Sequence, residues 1–272
     1  MLFPEFATET LNLHGFEPNA SKFFFNLTKS IVNQRKQLGS QSTHNDFIHL
    51  LMKAEYEGRK LTDKQIADQG IAFFLAGFDT SSVTLTNVVY FLAKYQDIQT
   101  RLFNEIDEFS KNSPQDIDYF ESINELKYLN AVINETLRFR STLPHMVRES
   151  AKNCTISNDG RELFIPKGTN IQISVHMIHR DENHFERPFE FLPERFMTGS
   201  SLRHNSQAFM PFGVGPRNCI GLRFATFEIK LCLYKVLQMY KFELSSNTEP
   251  LRFLAGQPVT VAERMPLKLI RR

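Results

Sequence analysis

The residues best suited to chemistry stand together at Pro211-Phe212-Gly213-Val214-Gly215-Pro216-Arg217-Asn218-Cys219-Ile220-Gly221. The glycines let this backbone fold tightly and approach a flat ligand, while the prolines limit its alternatives. Apolar residues then recur at helical spacing from about Cys219 to Tyr240, among them Ile220, Phe224, Phe227, Leu231 and Tyr234. A buried helix is expected there, with Cys219 at its mouth. Free amide donors and the positive helix end favour thiolate over thiol, and the thiolate is the form that binds a metal. A lone cysteine is more often an ordinary buried thiol, so by itself Cys219 is open to both readings. The other cysteines, Cys154 and Cys232, are too few and scattered for a disulfide framework, and no C-x-x-C pair suggests zinc. A reducing environment is expected.

Three further groupings carry chemical potential. Glu135 and Arg138 are three apart on a predicted helix and share a face, where they can pair; most such pairs are solvated. Ala76-Gly77-Phe78-Asp79-Thr80-Ser81-Ser82 concentrates small and hydroxylic residues in an apolar stretch. These can distort the helix locally or allow close helix packing. His179-Arg180-Asp181 has the look of a kinase catalytic loop, but Glu186 stands where that loop needs its metal-binding Asn. With no phosphate-cradling glycine loop elsewhere, that reading is set aside.

The elements that must position these residues are mostly helices. Helical spacing predicts them from Pro18 to about Gln37 and from Asn45 to Ala54. Thr62-Asp63-Lys64-Gln65 reads as a capping box that opens a long helix over about 62–95, and further helices are predicted from Ile98 to Ser110 and over about 124–140. Ser150 to Ile156, Leu163 to Ile165 and Asn170 to Val175 read as short strands, and Pro188 to Pro216 as irregular chain. No repeat, low-complexity tract or linker divides residues 1–272, so one structural unit is expected, mainly α with small β-sheets. Lysine and arginine total 32 against 30 acidic residues, a balance that implies no nucleic-acid partner. The 26 phenylalanines and absent tryptophan suit an interior with flat apolar walls. No apolar run is long enough to span a membrane, and the first residues lack a signal-peptide layout, so no anchor is expected in the chain as written.

Phe212, Gly215, Arg217, Cys219 and Gly221 match in full the F-x-x-G-x-R-x-C-x-G haem loop of the cytochrome P450 family, which the chain therefore resembles. The resemblance implies that the loop 211–221 binds haem b, with Cys219 as the iron ligand, Phe212 packed by the haem and sulfur, Arg217 on a propionate, and Gly213 and Gly221 allowing close approach. In this family the thiolate pushes electron density to the iron in favour of O–O cleavage. Glu135 and Arg138 resemble the E-x-x-R motif and Pro193-Glu194-Arg195-Phe196 the P-E-R-F segment; Glu135, Arg138 and Arg195 would interlock beneath the haem and hold the cysteine loop. Ala76 to Thr80 match A-G-x-[D/E]-T, which assigns Asp79 and Thr80 to an oxygen-side proton relay beside a widened helical turn. Arg148 takes the place of a second propionate-binding arginine, and Phe73, Phe74, Leu143, His145 and Met146 resemble substrate-pocket positions.

The resemblance covers nearly all of this chain but only the C-terminal half or somewhat more of a usual family member, so the fold is expected to be incomplete on its N-terminal side. By the resemblance, the part not covered is expected to hold the membrane anchor, the early helices and the helix whose Trp and Arg reach the haem. Ser141 and Thr142 stand where relatives commonly have prolines, and Leu192 where they have a polar residue. The surrounding sequence looks most like the microsomal, xenobiotic-metabolising branch of animals, particularly insects. By resemblance the activity is monooxygenation of an apolar small molecule, with NADPH electrons delivered by NADPH-cytochrome P450 reductase. That partner would dock on a basic face of Arg217, Arg223 and Lys230, at the cytosolic side of the endoplasmic reticulum membrane, and association with the membrane would come through the missing anchor. Two rival readings are a truncated relative without catalysis and a helical interaction module with no haem.

Overall fold

The computed structural model describes residues 17–38, 46–113, 118–202 and 204–272. The chain divides into two compact units, Met1–Phe78 and Asp79–Arg272. In the first, α1 (Pro18–Leu38) is followed by α2 (Phe47–Lys53), the strands β1 (Glu55–Tyr56) and β2 (Arg59–Lys60), and the start of α3 (Asp63–Lys94). Asn45, where the second helix is predicted to begin, lies outside the described residues. Asp46 caps α2 by accepting the His49 N–H at 3.1 Å. Thr62 and Gln65 form the predicted capping box: the Gln65 N–H reaches Thr62 Oγ1 at 3.3 Å and the Thr62 N–H reaches Gln65 Oε1 at 2.9 Å. Gly70 permits close approach of α1, since a Cβ there would lie 2.9 Å from Thr28 Cγ2. The β1–β2 hairpin is not foreseen; Glu57 and Gly58 both take positive φ in its two-residue turn.

The second unit holds the rest of α3, then α4 (Gln96–Asn112), α5 (Tyr119–Ser122), α6 (Lys127–Phe139), α7 (Val175–Ile178) and α8 (Leu222–Leu237). Its core joins Val88, Phe91 and Leu92 of α3 to Leu102 and Ile106 of α4, Leu129 and Ile133 of α6, and Leu233 and Leu237 of α8. These residues recur at three- and four-residue spacing, which gives each helix one apolar face. Glu105 of α4 accepts the Tyr128 and Leu129 N–H groups at 2.6 and 2.8 Å, which satisfies free amides at the start of α6. Burial pushes its carboxyl above the usual range, against the lowering by those amides.

Three antiparallel pairs complete the unit: β3 (His145–Glu149) with β6 (Asn170–Ser174), β4 (Cys154–Asn158) with β5 (Arg161–Ile165), and β7 (Tyr240–Leu244) with β8 (Leu267–Arg271). Several boundaries differ from expectation. β3 is unforeseen because its partner lies 25 residues or so along the chain, while Ser150, predicted to open a strand, turns the chain by bonding Lys152 O through its hydroxyl at 2.6 Å. The last helix gives way to β7, whose alternating Tyr240-Lys241-Phe242-Glu243-Leu244 fits a strand once β8 is present to pair with it. α3 runs unbroken from Asp63 to Lys94 where a widened turn is expected. Two of its hydroxyls bond back to the helix: Thr84 Oγ1 donates to Thr80 O at 2.8 Å and Ser82 Oγ to Asp79 O at 3.0 Å.

Candidate functional site

α6 presents Glu135 and Arg138 on its inner face, both without solvent exposure. Arg138 donates through Nε to Glu135 Oε2 and through Nη2 to Oε1, each at 2.7 Å. Arg195, from the 3-10 turn Pro193–Phe196, adds its Nε to Glu135 Oε2 at 3.3 Å. The Leu192 N–H reaches Glu135 Oε1 at 2.8 Å. Arg138 spends its remaining guanidinium hydrogens on the His179, Pro188 and Glu190 carbonyls, and Arg195 also donates to the Glu186 and Arg187 carbonyls. Burial pushes the Arg195 guanidinium down, and the Glu135 carboxylate opposes that. A carboxylate between two buried guanidiniums, with its acceptors filled, is an arrangement that fixes irregular chain rather than one that reacts.

That irregular chain leads to the cysteine loop. Gly213 and Gly215 take φ of +74° and +78°, a conformation an L side chain adopts only with strain. The Asn218 N–H bonds Gly215 O at 3.1 Å and the Cys219 N–H bonds Phe212 O at 2.8 Å. These bonds commit the loop's amides, so α8 starts at Leu222 behind an N-cap at Gly221, and Cys219 precedes the helix instead of opening it. Cys219 is exposed among the described residues. Close to it in the chain, Ile220 is fully exposed and Val214 and Phe224 are each 51% exposed, alongside the exposed Arg217 and Asn218. A Cβ added at Gly213 would lie 3.4 Å from Met146 Sδ, so β3 passes against the loop. Arg148, two residues on in the same strand, projects to the same face as Met146, and His145 to the other.

The remaining candidate residues are placed as follows. Asp79 is exposed and Thr80 half-buried on α3. The next residue, Ser81, donates its hydroxyl to Glu228 Oε2 on α8 at 3.0 Å, which ties this part of α3 to the helix behind the cysteine. Leu143 and His145 are exposed and Met146 half-buried. In the first unit Phe73 stacks on Phe47 at 4.7 Å between centroids, and Phe74 lies 5.9 Å from Phe24. The expected basic face of Arg217, Arg223 and Lys230 is corrected: the arginines are exposed, but Lys230 is buried and donates to Asn124 Oδ1 at 3.0 Å. α8 is open along its first turns and enclosed by Ile229, Leu233 and Tyr234 further on, so one helical stripe changes from surface to core along its length. Burial also pushes the Lys230 amine down. Sequence reasoning missed His179 and Met210, which connect the buried ion cluster to the loop; their pairing depends on tertiary contact and leaves no linear signal.

A family model described as "Cytochrome P450" matches residues 3–270. The chain belongs to the cytochrome P450 family. It is 40% identical over 254 residues to "Probable cytochrome P450 6a13" of Drosophila melanogaster, covering 92% of this chain and 50% of that protein. To "Cytochrome P450 6B2" of Helicoverpa armigera it is 34% identical over 275 residues, with 94% and 53% covered. To "Cytochrome P450 3A2" of Rattus norvegicus it is 38% identical over 277 residues, with 97% and 53% covered. The chain spans about half the length of the curated relatives it matches.

The residues present fit the haem that this cytochrome P450 membership implies. Among the described residues, no group of three or more His, Cys, Asp or Glu converges on a metal. Cys219 therefore offers a single sulfur donor, as suits an iron whose other ligands come from a macrocycle. Exposed apolar side chains near Cys219 in the chain, Val214, Ile220 and Phe224, suit a flat apolar cover. Gly221 keeps the space beside it open, since a Cβ there would sit 3.9 Å from Cys219 Sγ. Arg148 and Arg217 form no ion pair among the described residues, which leaves two guanidiniums for carboxylates such as propionates. No helix among the described residues is long and apolar enough to cross a membrane.

Proposed function

We propose that the chain is the haem-binding and oxygen-activating part of a monooxygenase that acts on apolar organic molecules. The observation that carries this reading is the exposed Cys219, next to the fully exposed Ile220, at the end of a loop braced by left-handed glycines. One substrate C–H, one dioxygen, NADPH and one proton become C–OH, water and NADP+, with NADPH supplying two electrons and one hydrogen. Haem b, when bound, supplies the iron at which dioxygen is reduced.

Each residue has a distinct task. Cys219 holds the iron through its thiolate, and Phe212 packs beside the sulfur. Gly213 and Gly221 admit the macrocycle, and Arg148 and Arg217 neutralise its propionates. Glu135, Arg138 and Arg195 form a rigid support behind the loop. The Asp79 carboxyl and Thr80 hydroxyl hold and pass the protons that water formation consumes. Phe73, Phe74, Leu143, His145 and Met146 contribute to the substrate's surroundings. Residues 1–272 are read as part of a single domain because one family model runs across both units.

Electrons reach the site from NADPH-cytochrome P450 reductase, docked near the exposed Arg217 and Arg223, and the protein works at the cytosolic face of the endoplasmic reticulum membrane. The test is isotopic. With haem, reductase and NADPH supplied, an apolar substrate should gain one oxygen atom from labelled dioxygen and none from labelled water. Product oxygen drawn from water, or no NADPH-dependent product, contradicts the proposal.

A further inference from the structure

The His179-Arg180-Asp181 run, discounted as a kinase motif, contains a wholly buried imidazole to which the proposed chemistry gives no task. His179 ends α7, and each of its polar groups is engaged. Its N–H bonds Val175 O at 2.9 Å, and its carbonyl accepts from Arg138 Nη1 at 2.8 Å. Ring Nδ1 lies 3.2 Å from Ser141 Oγ, and ring Nε2 accepts the Met210 backbone N–H at 3.0 Å. The ring stacks on Phe209 at 5.5 Å between centroids and meets the edge of Phe185 at 5.8 Å.

Met210 is the last residue before the loop, and Pro211 after it has no N–H to offer. Met210 O in turn accepts the Gly213 N–H at 3.0 Å, and Phe212 O accepts the Cys219 N–H at 2.8 Å. The Glu135–Arg138 pair is thus connected to the cysteine amide through His179 and the first turn of the loop. An amide can only donate, so Nε2 must present its lone pair; in the neutral ring the proton then sits on Nδ1 and is directed at Ser141 Oγ. Burial first, then Arg138, holds the imidazole pKa down at about 4, which agrees with a neutral ring.

We propose that His179 is a positioning residue for the cysteine loop: its Nε2 fixes the Met210 amide, and Ser141 Oγ holds the ring in place through the Nδ1–H of that tautomer. The clause that the loop serves a haem rests on the function proposed above; the positioning itself does not.

Three variants of the full chain test it: His179→Leu removes the acceptor, His179→Gln can restore one through Oε1, and Ser141→Ala frees the ring. Amide hydrogen exchange is read without haem, and the fraction of thiolate-type Soret band in the reduced carbon-monoxide complex is read with it. His179→Leu should speed exchange at Met210, Gly213 and Cys219 on the order of tenfold, as expected for one lost buried hydrogen bond. Exchange at Leu102 and Ile106 should be unchanged. The thiolate-band fraction should fall, and His179→Gln should recover both signals. Ser141→Ala should speed the same three amides to a smaller extent, which keeps the test open where His179→Leu does not fold. Unchanged exchange at those amides in His179→Leu or Ser141→Ala, equal acceleration at Leu102 and Ile106, or no recovery in His179→Gln overturns the proposal. A wild-type chain that shows the exchange pattern but no thiolate band supports the positioning and rejects the haem reading alone.

Discussion

Replacing Glu135 with glutamine removes the one negative charge between two buried guanidiniums. Arg138 and Arg195 are both without solvent exposure, so neither can recover its hydration by turning outward. Leaving a buried charge unpaired costs about 3–5 kcal/mol. Glutamine Oε1 can still accept the Leu192 N–H, whereas Glu135→Ala also orphans that amide and adds about 1–3 kcal/mol. Against a total stability of about 5–15 kcal/mol, Glu135→Gln should remove a large fraction and Glu135→Ala should leave little folded protein. Glu190→Gln is the internal control: it breaks an ion pair with Arg187 in which both side chains are 52% exposed, and such pairs contribute under about 1 kcal/mol. Urea unfolding followed by far-ultraviolet circular dichroism suits a chain with no tryptophan. A Glu135→Gln variant no less stable than Glu190→Gln would refute the assignment of the cluster as the support of the irregular chain.

Gly213→Ala should lower stability by about 1–2 kcal/mol, because φ is +74° there, and should weaken haem uptake; denaturation and haem titration check both, and wild-type values in each would count against the loop geometry. The buried His179 ring predicts a pH dependence: its pKa falls from 6.5 in the unfolded chain to about 4 when folded, so the unfolded state binds the proton more readily between those values. Its stabilisation is complete above pH 6.5 and is lost as pH drops toward 4, a change of about 3 kcal/mol. Burial is the main cause, and the charges of Arg138, His176 and Arg180 add to it against the raising hydrogen bond with Arg138; His179→Gln should flatten this part of the stability–pH curve, and an unaltered curve is the contrary result. Thr80→Ala should bind haem normally yet divert NADPH electrons to hydrogen peroxide, so full coupling of NADPH use to product would reject the relay.

Local chemistry was legible in the sequence where local geometry is sufficient. Glycines and prolines around Cys219 constrain their own backbone, and Glu135 and Arg138 meet because three residues are nearly one helical turn. The capping box at Thr62 and the length of α3 follow from the same short-range rules. Elements completed by distant partners were hidden: β3 and β7 are strands because β6 and β8 reach them. The start of α8 was misplaced because Cys219 gives its amide to Phe212 across the loop. Lys230 read as surface because helical periodicity describes a face and not how deep each turn lies. The hydroxyls of Ser141 and Thr142 bond His179 and Thr84, contacts that linear motifs do not encode.

The sulfur–iron bond is most directly tested by the absorption spectrum of the reduced, carbon-monoxide-treated chain after haem is supplied. The wild-type chain should show the long-wavelength Soret band of thiolate ligation, and Cys219→Ser should abolish it. The same band persisting in Cys219→Ser, or never forming in the wild-type protein, would contradict the assignment of Cys219 as the iron ligand.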